Sequence, residues 1–407
     1  MHFDYLLVIA CVMVPTFLAL QLAGAIRQLG WRKTLAVGLG LLALSAVFDN
    51  LLVLADIVDY HRPSILGVKF PIAPIEDLGY AFLAAVLVPS VWLGLKNLGK
   101  SASDSGHSFT LRALLRQLFW ASRPISWINT AYPYAAVYLV VGHQLNTMFW
   151  LGTLFFLIPY NLLMYGINDV YDYESDLRNP RKGSIEGAVL DPKWHQPTLL
   201  FAYLLPVPFV AYLSWHELHR GNPMTVVWLV VVLFAVVAYS AKGMRFKEIP
   251  LLDSLTSATH FVGPMVVAMV ATDQPLNSGT SIKLIGAFLL WGMASHAFGA
   301  VQDIRADREG GLASIATAFG AKETVRFAFI AYGFAGIALL SGIWPMPIAA
   351  VAVVPYLAIT WPYLNLSDDD CERANAGWRR FIWLNFFAGF VVTMILIYSV
   401  LSSHKIL

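Results

Sequence analysis

The sequence predicts an all-α integral membrane protein of about twelve transmembrane helices, divided into a group of three and a group of nine. Three observations predict it. Of 407 residues, 58% are hydrophobic and only 13% charged, with a mean hydropathy of +0.64, far from the balance of a soluble domain. Apolar runs long enough to cross a hydrocarbon core of about 30 Å recur along the whole chain. Lys and Arg alternate between successive loops, as they do when every second loop is cytoplasmic.

The spans fall at 3–23, 35–55, 76–95, 124–141, 148–168, 198–214, 224–240, 253–271, 283–301, 324–342, 346–361 and 380–401. With the N-terminus outside, the loops after the odd-numbered spans are cytoplasmic. They hold or border every Lys and Arg except Arg62, Lys69, Arg220, Lys283 and Lys405. A missed or surplus helix would scramble that pattern, so a multi-pass protein of the cell membrane, embedded in the lipid bilayer, is expected. A net charge of +2 indicates no nucleic-acid partner. No Lys or Arg precedes the first span, which is read as a retained helix and not a cleaved signal. Cys11 and Cys371 give no basis for a disulfide framework or a zinc site.

The first three spans form a module over 1–96. Asp49, followed by Asn50, lies inside an apolar segment, where an ionisable residue is costly and a functional candidate by default. Phe70-Pro71-Ile72-Ala73-Pro74-Ile75-Glu76-Asp77 opens the third span. Proline and two acids also describe an ordinary helix start, because carboxylates favour the positive end of the helix dipole. Residues 97–119 then read as a cytoplasmic linker: a Ser/Gly portion around Ser101 to Gly106, followed by a basic amphipathic stretch around Arg112 and Arg116 suited to an anionic lipid surface.

The second module, 120–407, carries the acidic clusters. The fifth span runs into Tyr165-Gly166-Ile167-Asn168-Asp169-Val170-Tyr171-Asp172-Tyr173-Glu174-Ser175-Asp176. If the helix continues, Asn168, Asp172 and Asp176 recur every four residues and share one face. Asp169, Asp172, Glu174 and Asp176 repel one another unless a cation is present, and hard oxygen donors at this spacing suit Mg²⁺. The ninth span ends in Asp303-Ile304-Arg305-Ala306-Asp307-Arg308, again with two carboxylates four apart and on the same side of the membrane. A single acidic cluster reads first as a solvated helix end; two on one face, beside apolar helices, favour a clamp on a diphosphate. Arg123, Arg178, Arg181, Lys182, Lys242, Arg245 and Lys247 supply cations to the same mouth, though each taken alone reads first as a positive-inside anchor. Tyr165, Tyr171, Tyr173 and Tyr239 can shield a carbocation or simply pack. His260 and His296 can accept a proton or hold a buried hydrogen bond. Asp368-Asp369-Asp370 follows Pro362 and is read as a hydrated loop without a partnering helix.

The stretches Arg123-Pro124-Ile125-Ser126-Trp127-Ile128-Asn129-Thr130, Asn168 to Asp176 and Asp303 to Asp307 resemble the UbiA superfamily of membrane prenyltransferases. Asn179 to Gly187 and Arg245 to Ser254 are most similar to lycopene elongases. The resemblance implies a UbiA-type helical bundle. It implies Mg²⁺ held by Asn168, Asp172, Asp176, Asp303 and Asp307, and a substrate site with Arg123, Asn129, Tyr165, Arg178, Lys182, Tyr239, Lys242, Arg245 and Arg308. Dimethylallyl diphosphate would be the donor and lycopene the acceptor, on the route to C50 carotenoids. Where relatives carry Tyr-x-x-x-Lys, Tyr239 is followed by Lys242 and Gly243, which leaves open the cation that meets phosphate. Asp49 and Pro74-Ile75-Glu76-Asp77 are similar to the small subunits of heterodimeric carotenoid cyclases, implying Glu76 as the acid that protonates an alkene and a second, separately encoded half as partner. A different acceptor, a quinone precursor or a tetrapyrrole, would share the clamp. A twelve-helix transporter would place its carboxylates near the membrane midplane instead.

Overall fold

A computed structural model of the chain describes residues 30–55, 57–58, 67–81, 84–86, 88–90, 111–142, 145–173 and 190–403. They are almost wholly helical, and nine helices among them are long and apolar enough to cross a membrane. The protein is an all-α integral membrane protein. The expected span at 3–23 lies outside the described residues. The chain divides into two compact units, Met1–Thr110 with Ile397–Leu407, and Leu111–Leu396.

In the first unit, α1 (Trp31–Leu54) is a 24-residue helix without an acidic residue in its first turn. Gly38, its one buried residue, faces Ala85 of the apolar helical stretch Asp77–Ser90. Asn50, near the end of α1, clasps the turn that precedes that stretch. Its Nδ2 donates to the Phe70 carbonyl at 2.8 Å, and its Oδ1 accepts from the backbone N–H groups of Ile72 at 2.7 Å and Ala73 at 2.9 Å. Such satisfaction of the main chain fixes the turn, in which Phe70-Pro71 is cis and Glu76 and Asp77 are buried.

The second unit begins with α2 (Leu111–Ala121), whose buried Leu118 and Ala121 pack against Leu162 and Ala202. A 3₁₀ turn at Pro124–Ser126 leads into α3 (Trp127–Gly142), then α4 (Thr147–Leu157) and α5 (Pro159–Tyr171). Pro124 opens the 3₁₀ turn and Pro133 sits inside α3, so this span is shorter in regular helix than its apolar run. Next come α6 (His195–Leu204), α7 (Pro206–His219) and α8 (Pro223–Ser240), each of the last two opened by proline at its first position.

Helix α9 (Leu252–Ala271) is buried along most of its length and packs against α3, α8 and α10 (Gly279–Val301). Close packing needs glycine here: a Cβ on Gly292 of α10 would lie 2.8 Å from Ala258 Cβ and 3.0 Å from its Cα. The short α11 (Ile304–Glu309), α12 (Ile315–Leu340), the composite span α13 (Met346–Tyr363) and α14 (Asn375–Ser403) follow. Two apolar cores result. One joins α3, α4, α5, α7, α8 and α9; the other joins α10, α11, α12, α13 and the start of α14.

The structure corrects the reading of Asp368 as a hydrated loop residue. Helix α12 is broken at Gly320 (φ 77°), and Asp368 accepts from the freed N–H of Ala321 at 2.6 Å while pairing with Arg308 at 2.8 Å. A 3₁₀ helix, Asp368–Ala374, then feeds α14, with Asp369 and Asp370 exposed.

Candidate active site

The regular part of α5 stops at Tyr171 and Asp172 caps it, its N–H still donating to the Asn168 carbonyl at 2.9 Å. Asn168 and Asp172 therefore leave the same face, as their spacing predicts. Asp176, Arg178, Arg181 and Lys182 lie outside the described residues. Asp169, one position on from Asn168, faces another way. Its side chain is 0% exposed and accepts from Arg123 Nη2 at 2.8 Å, so it does not join the first carboxylate group. The Arg123 guanidinium in turn lies over the Tyr165 ring, 4.3 Å from its centroid, and Tyr165 bonds Ser126 at 2.7 Å.

The cation facing Asn168 and Asp172 is Lys247, on the 3₁₀ turn Phe246–Glu248 that links α8 to α9. Its Nζ pairs with Asp172 and donates to Asn168 Oδ1 at 3.1 Å. Burial pulls the Lys247 ammonium below the usual lysine range, Asp172 opposing the shift. Arg245 reaches the same Asp172 oxygen at 3.5 Å and is braced by Glu248, whose hydrogen bond to Arg245 Nε is 2.6 Å long and raises the guanidinium pKa further. Lys242 is exposed. Arg123 (φ 49°) and Arg245 (φ 43°) both adopt left-handed backbone, costing roughly 1–3 kcal/mol each, the kind of strain that marks functional sites.

Asp303 sits at the junction of α10 and α11, and the Asp307 N–H donates to its carbonyl at 2.8 Å, so these acids also share a face. Arg308 is turned to Asp368 and to the Thr317 carbonyl at 3.1 Å. Asn129 is exposed on the first turn of α3. Glu76 belongs to the first unit.

Both clusters stand at the same end of the bundle. Ser240, the last residue of α8, donates to Asn168 Oδ1 at 2.9 Å, while the neighbouring Tyr239 hydroxyl meets His296 Nε2 of α10 at 3.1 Å. Asp303 follows about 10 Å further along that helix. A cavity of about 130 Å³ opens beside them, lined by Arg123, Tyr165, Asn168, Tyr239, Ser257 and His260, with Met164 and Phe261 as apolar walls.

Among the described residues no three His, Cys, Asp or Glu side chains gather into a cage for a metal ion. The available donors, Asn168, Asp172, Asp303 and Asp307, are all oxygen. They fit Mg²⁺ bound through one or two carboxylates, with phosphate and water completing the shell.

The sequence places Lys242 and Arg245 in the substrate site, leaves open which cation of that turn meets phosphate, and assigns no role to Asp253 and Ser254. Asp253 is 0% exposed in the first turn of α9, and an acid at the start of an otherwise apolar helix was the available signal.

Residues 130–395 match the UbiA prenyltransferase family. The C(50) beta-cyclic carotenoids biosynthesis protein LbtBC of Dietzia sp. is 46% identical over 403 residues, 91% of this chain and 92% of its own length. A lycopene elongase/hydratase of Corynebacterium glutamicum is 46% identical over 284 residues, 70% of this chain and 97% of its own. A solved digeranylgeranylglyceryl phosphate synthase superposes with a TM-score of 0.50 at 16% identity, over 71% of this chain and 99% of its own, a likeness of fold.

Proposed function

The chain belongs to the UbiA prenyltransferase family, and from that premise we propose that residues 120–407 transfer the dimethylallyl group of dimethylallyl diphosphate to the ends of lycopene, towards C50 carotenoids. One observation carries the reading: Lys247, Arg245 and Asp172 meet at Asn168, which lines a cavity walled by Tyr165, Tyr239, Met164 and Phe261 together with Arg123, Ser257 and His260.

Lys247 and Arg245 bind the diphosphate and offset the charge that develops on it as the C–O bond ionises, the bonding pair leaving on oxygen. Arg123, held by Asp169, adds a third positive charge at the cavity wall. Mg²⁺, held by Asn168, Asp172, Asp176, Asp303 and Asp307, would supply further neutralisation of the leaving group. The Tyr239 ring is offered to the allylic cation, and Met164, Phe261 and the tyrosine rings limit the water that would quench it. The terminal alkene of lycopene then gives its π pair to the new C–C bond, leaving a tertiary cation.

The first unit is read as half of a carotenoid end-group cyclase, with Glu76 as the proton donor. The buried turn clasped by Asn50 supports this, as does the beta-cyclic product in the name of a relative aligned over 91% of the chain. The diphosphate site is read as cytoplasmic and the N-terminus as external, from the Lys/Arg alternation.

Membranes holding the protein, given lycopene, labelled dimethylallyl diphosphate and Mg²⁺, should yield labelled C45 and C50 carotenoids. Chelation should stop the reaction, and Asp172→Ala or Asp303→Ala should abolish it without loss of folded protein. No label in carotenoid from the wild type would overturn the acceptor assignment; full activity in either variant would overturn the clamp. Cyclic ends should appear only with a co-expressed partner half and intact Glu76.

A further inference from the structure

Behind Tyr239 runs a line of polar side chains that prenyl transfer itself does not employ. Asp253 is buried at the start of α9, where its Oδ2 accepts from the Ile315 N–H at 2.6 Å and its Oδ1 from the Ser254 N–H at 2.6 Å. The Ser254 hydroxyl also donates to Asp253 Oδ1, at 3.1 Å. A hydroxyl has one hydrogen to give, so towards His296 Nδ1, 3.1 Å away, the serine oxygen must accept. The proton of His296 is thereby placed on Nδ1, and Nε2 is left to accept from the Tyr239 hydroxyl at 3.1 Å. Tyr239 lines the cavity, as does Ser257, one turn from Ser254.

This is the order of parts that makes a base out of a phenol. A carboxylate fixed by two backbone N–H groups orients a hydroxyl, the hydroxyl fixes an imidazole tautomer, and the imidazole lone pair draws on the phenol. Asp253 also supplies the negative charge that a protonated His296 requires in a dry interior. Of the four, Tyr239 alone lines the cavity; His296, Ser254 and Asp253 stand behind it in that order. Their chemistry belongs to the far side of the reaction, after the new bond has formed.

We propose that Asp253, Ser254 and His296 act through Tyr239 as a relay that takes the proton from the carbocation left by prenyl transfer, and so set how often that cation ends as an alkene instead of an alcohol. The inference rests on the prenyltransferase reading of the site. A C–H bond next to the cationic carbon breaks and its electron pair becomes the new C=C. The proton goes to the Tyr239 oxygen as the tyrosine's own proton passes to His296 Nε2. Reversal of that last transfer hands the proton through Tyr239 to the departing diphosphate, and the relay is restored. When the relay is broken the cation persists until a water molecule reaches it; the water oxygen bonds to the cationic carbon, and the proton that the resulting oxonium loses passes to diphosphate. Tyr239 is the catalytic residue of this step; His296, Ser254 and Asp253 are positioning residues.

The test uses membranes holding the full chain with lycopene, labelled dimethylallyl diphosphate and Mg²⁺, and reads two quantities: total label in carotenoid and the ratio of alkene to hydroxylated ends. His296→Asn, Ser254→Ala and Tyr239→Phe should each lower the ratio by at least about tenfold in the product that forms. Ser254→Thr, which keeps the hydroxyl, should restore it, an outcome that a merely structural role for Ser254 would not produce. The small Ser254→Ala and Ser254→Thr changes keep the question open to decision if His296→Asn does not fold. A ratio within about twofold of wild type in Ser254→Ala, with label incorporated, overturns the relay while leaving prenyl transfer intact. So does a wild type that makes only hydroxylated ends, or a shift produced by His260→Asn and not by His296→Asn. Absence of label from wild-type carotenoid overturns the transfer reading, and the relay with it.

Discussion

Lys247 shows how much a single side chain decides. Its ammonium neutralises Asp172 and holds Asn168, whereas Lys242, five residues earlier, is exposed. Lys247→Ala should lower kcat/KM for the diphosphate about 100-fold, with Lys242→Ala close to wild type, as read from initial rates of label transfer. The assignment was hidden in the sequence because the chain reverses between the two lysines, through Gly243 (φ 93°) and Arg245 (φ 43°). The Asn168 to Asp172 pairing was legible, since a spacing of four survives any helix; the diversion of Asp169 to Arg123 was not, since its partner lies 46 residues away. Asp368 is likewise set by distant groups. The Ala321 N–H, with Arg308, holds its carboxyl below the ordinary aspartate range, so it stabilises the fold above pH about 3.8 and that contribution fades as pH falls through the lowered value. Asp368→Asn should therefore reduce the thermal midpoint at neutral pH, and the difference from wild type should shrink in acid.

At the scale of the helix, run length alone fixed most of the fold, because hydrocarbon tolerates no unsatisfied backbone and a helix is the only continuous solution. What run length does not convey is which helices touch. The approach of α9 and α10 at Ala258 and Gly292 is of this kind. Ser254 lies one turn before Ala258 and His296 one turn after Gly292, so the same contact that packs the helices brings the serine and histidine within 3.1 Å. Gly292→Val must push backbone away from backbone. It should cost about 1–3 kcal/mol in detergent unfolding and shift the end-group ratio in the same direction as Ser254→Ala.

Across the second unit as a whole, the turns opposite the candidate site are tied together by charge. Glu217, 1% exposed, accepts from Arg220 at 3.0 Å and Thr225 at 3.0 Å, and Arg220 bridges to Asp273 at 2.7 Å and to the Ala271 carbonyl at 2.7 Å. One arginine thus joins the α7–α8 turn to the α9–α10 turn. Arg220→Ala leaves a buried carboxylate short of its counter-charge and should cost about 2 kcal/mol by chemical denaturation, the partial exposure of the arginine moderating the loss. The same helices carry Ser240, Lys247 and His296 at their other ends, about 27 Å away along α8. These helices are thus held at both ends, by charge at the Arg220 turn and by hydrogen bonds at Ser240 and His296, so the spacing of the cavity wall is inherited in part from a residue that does not line it.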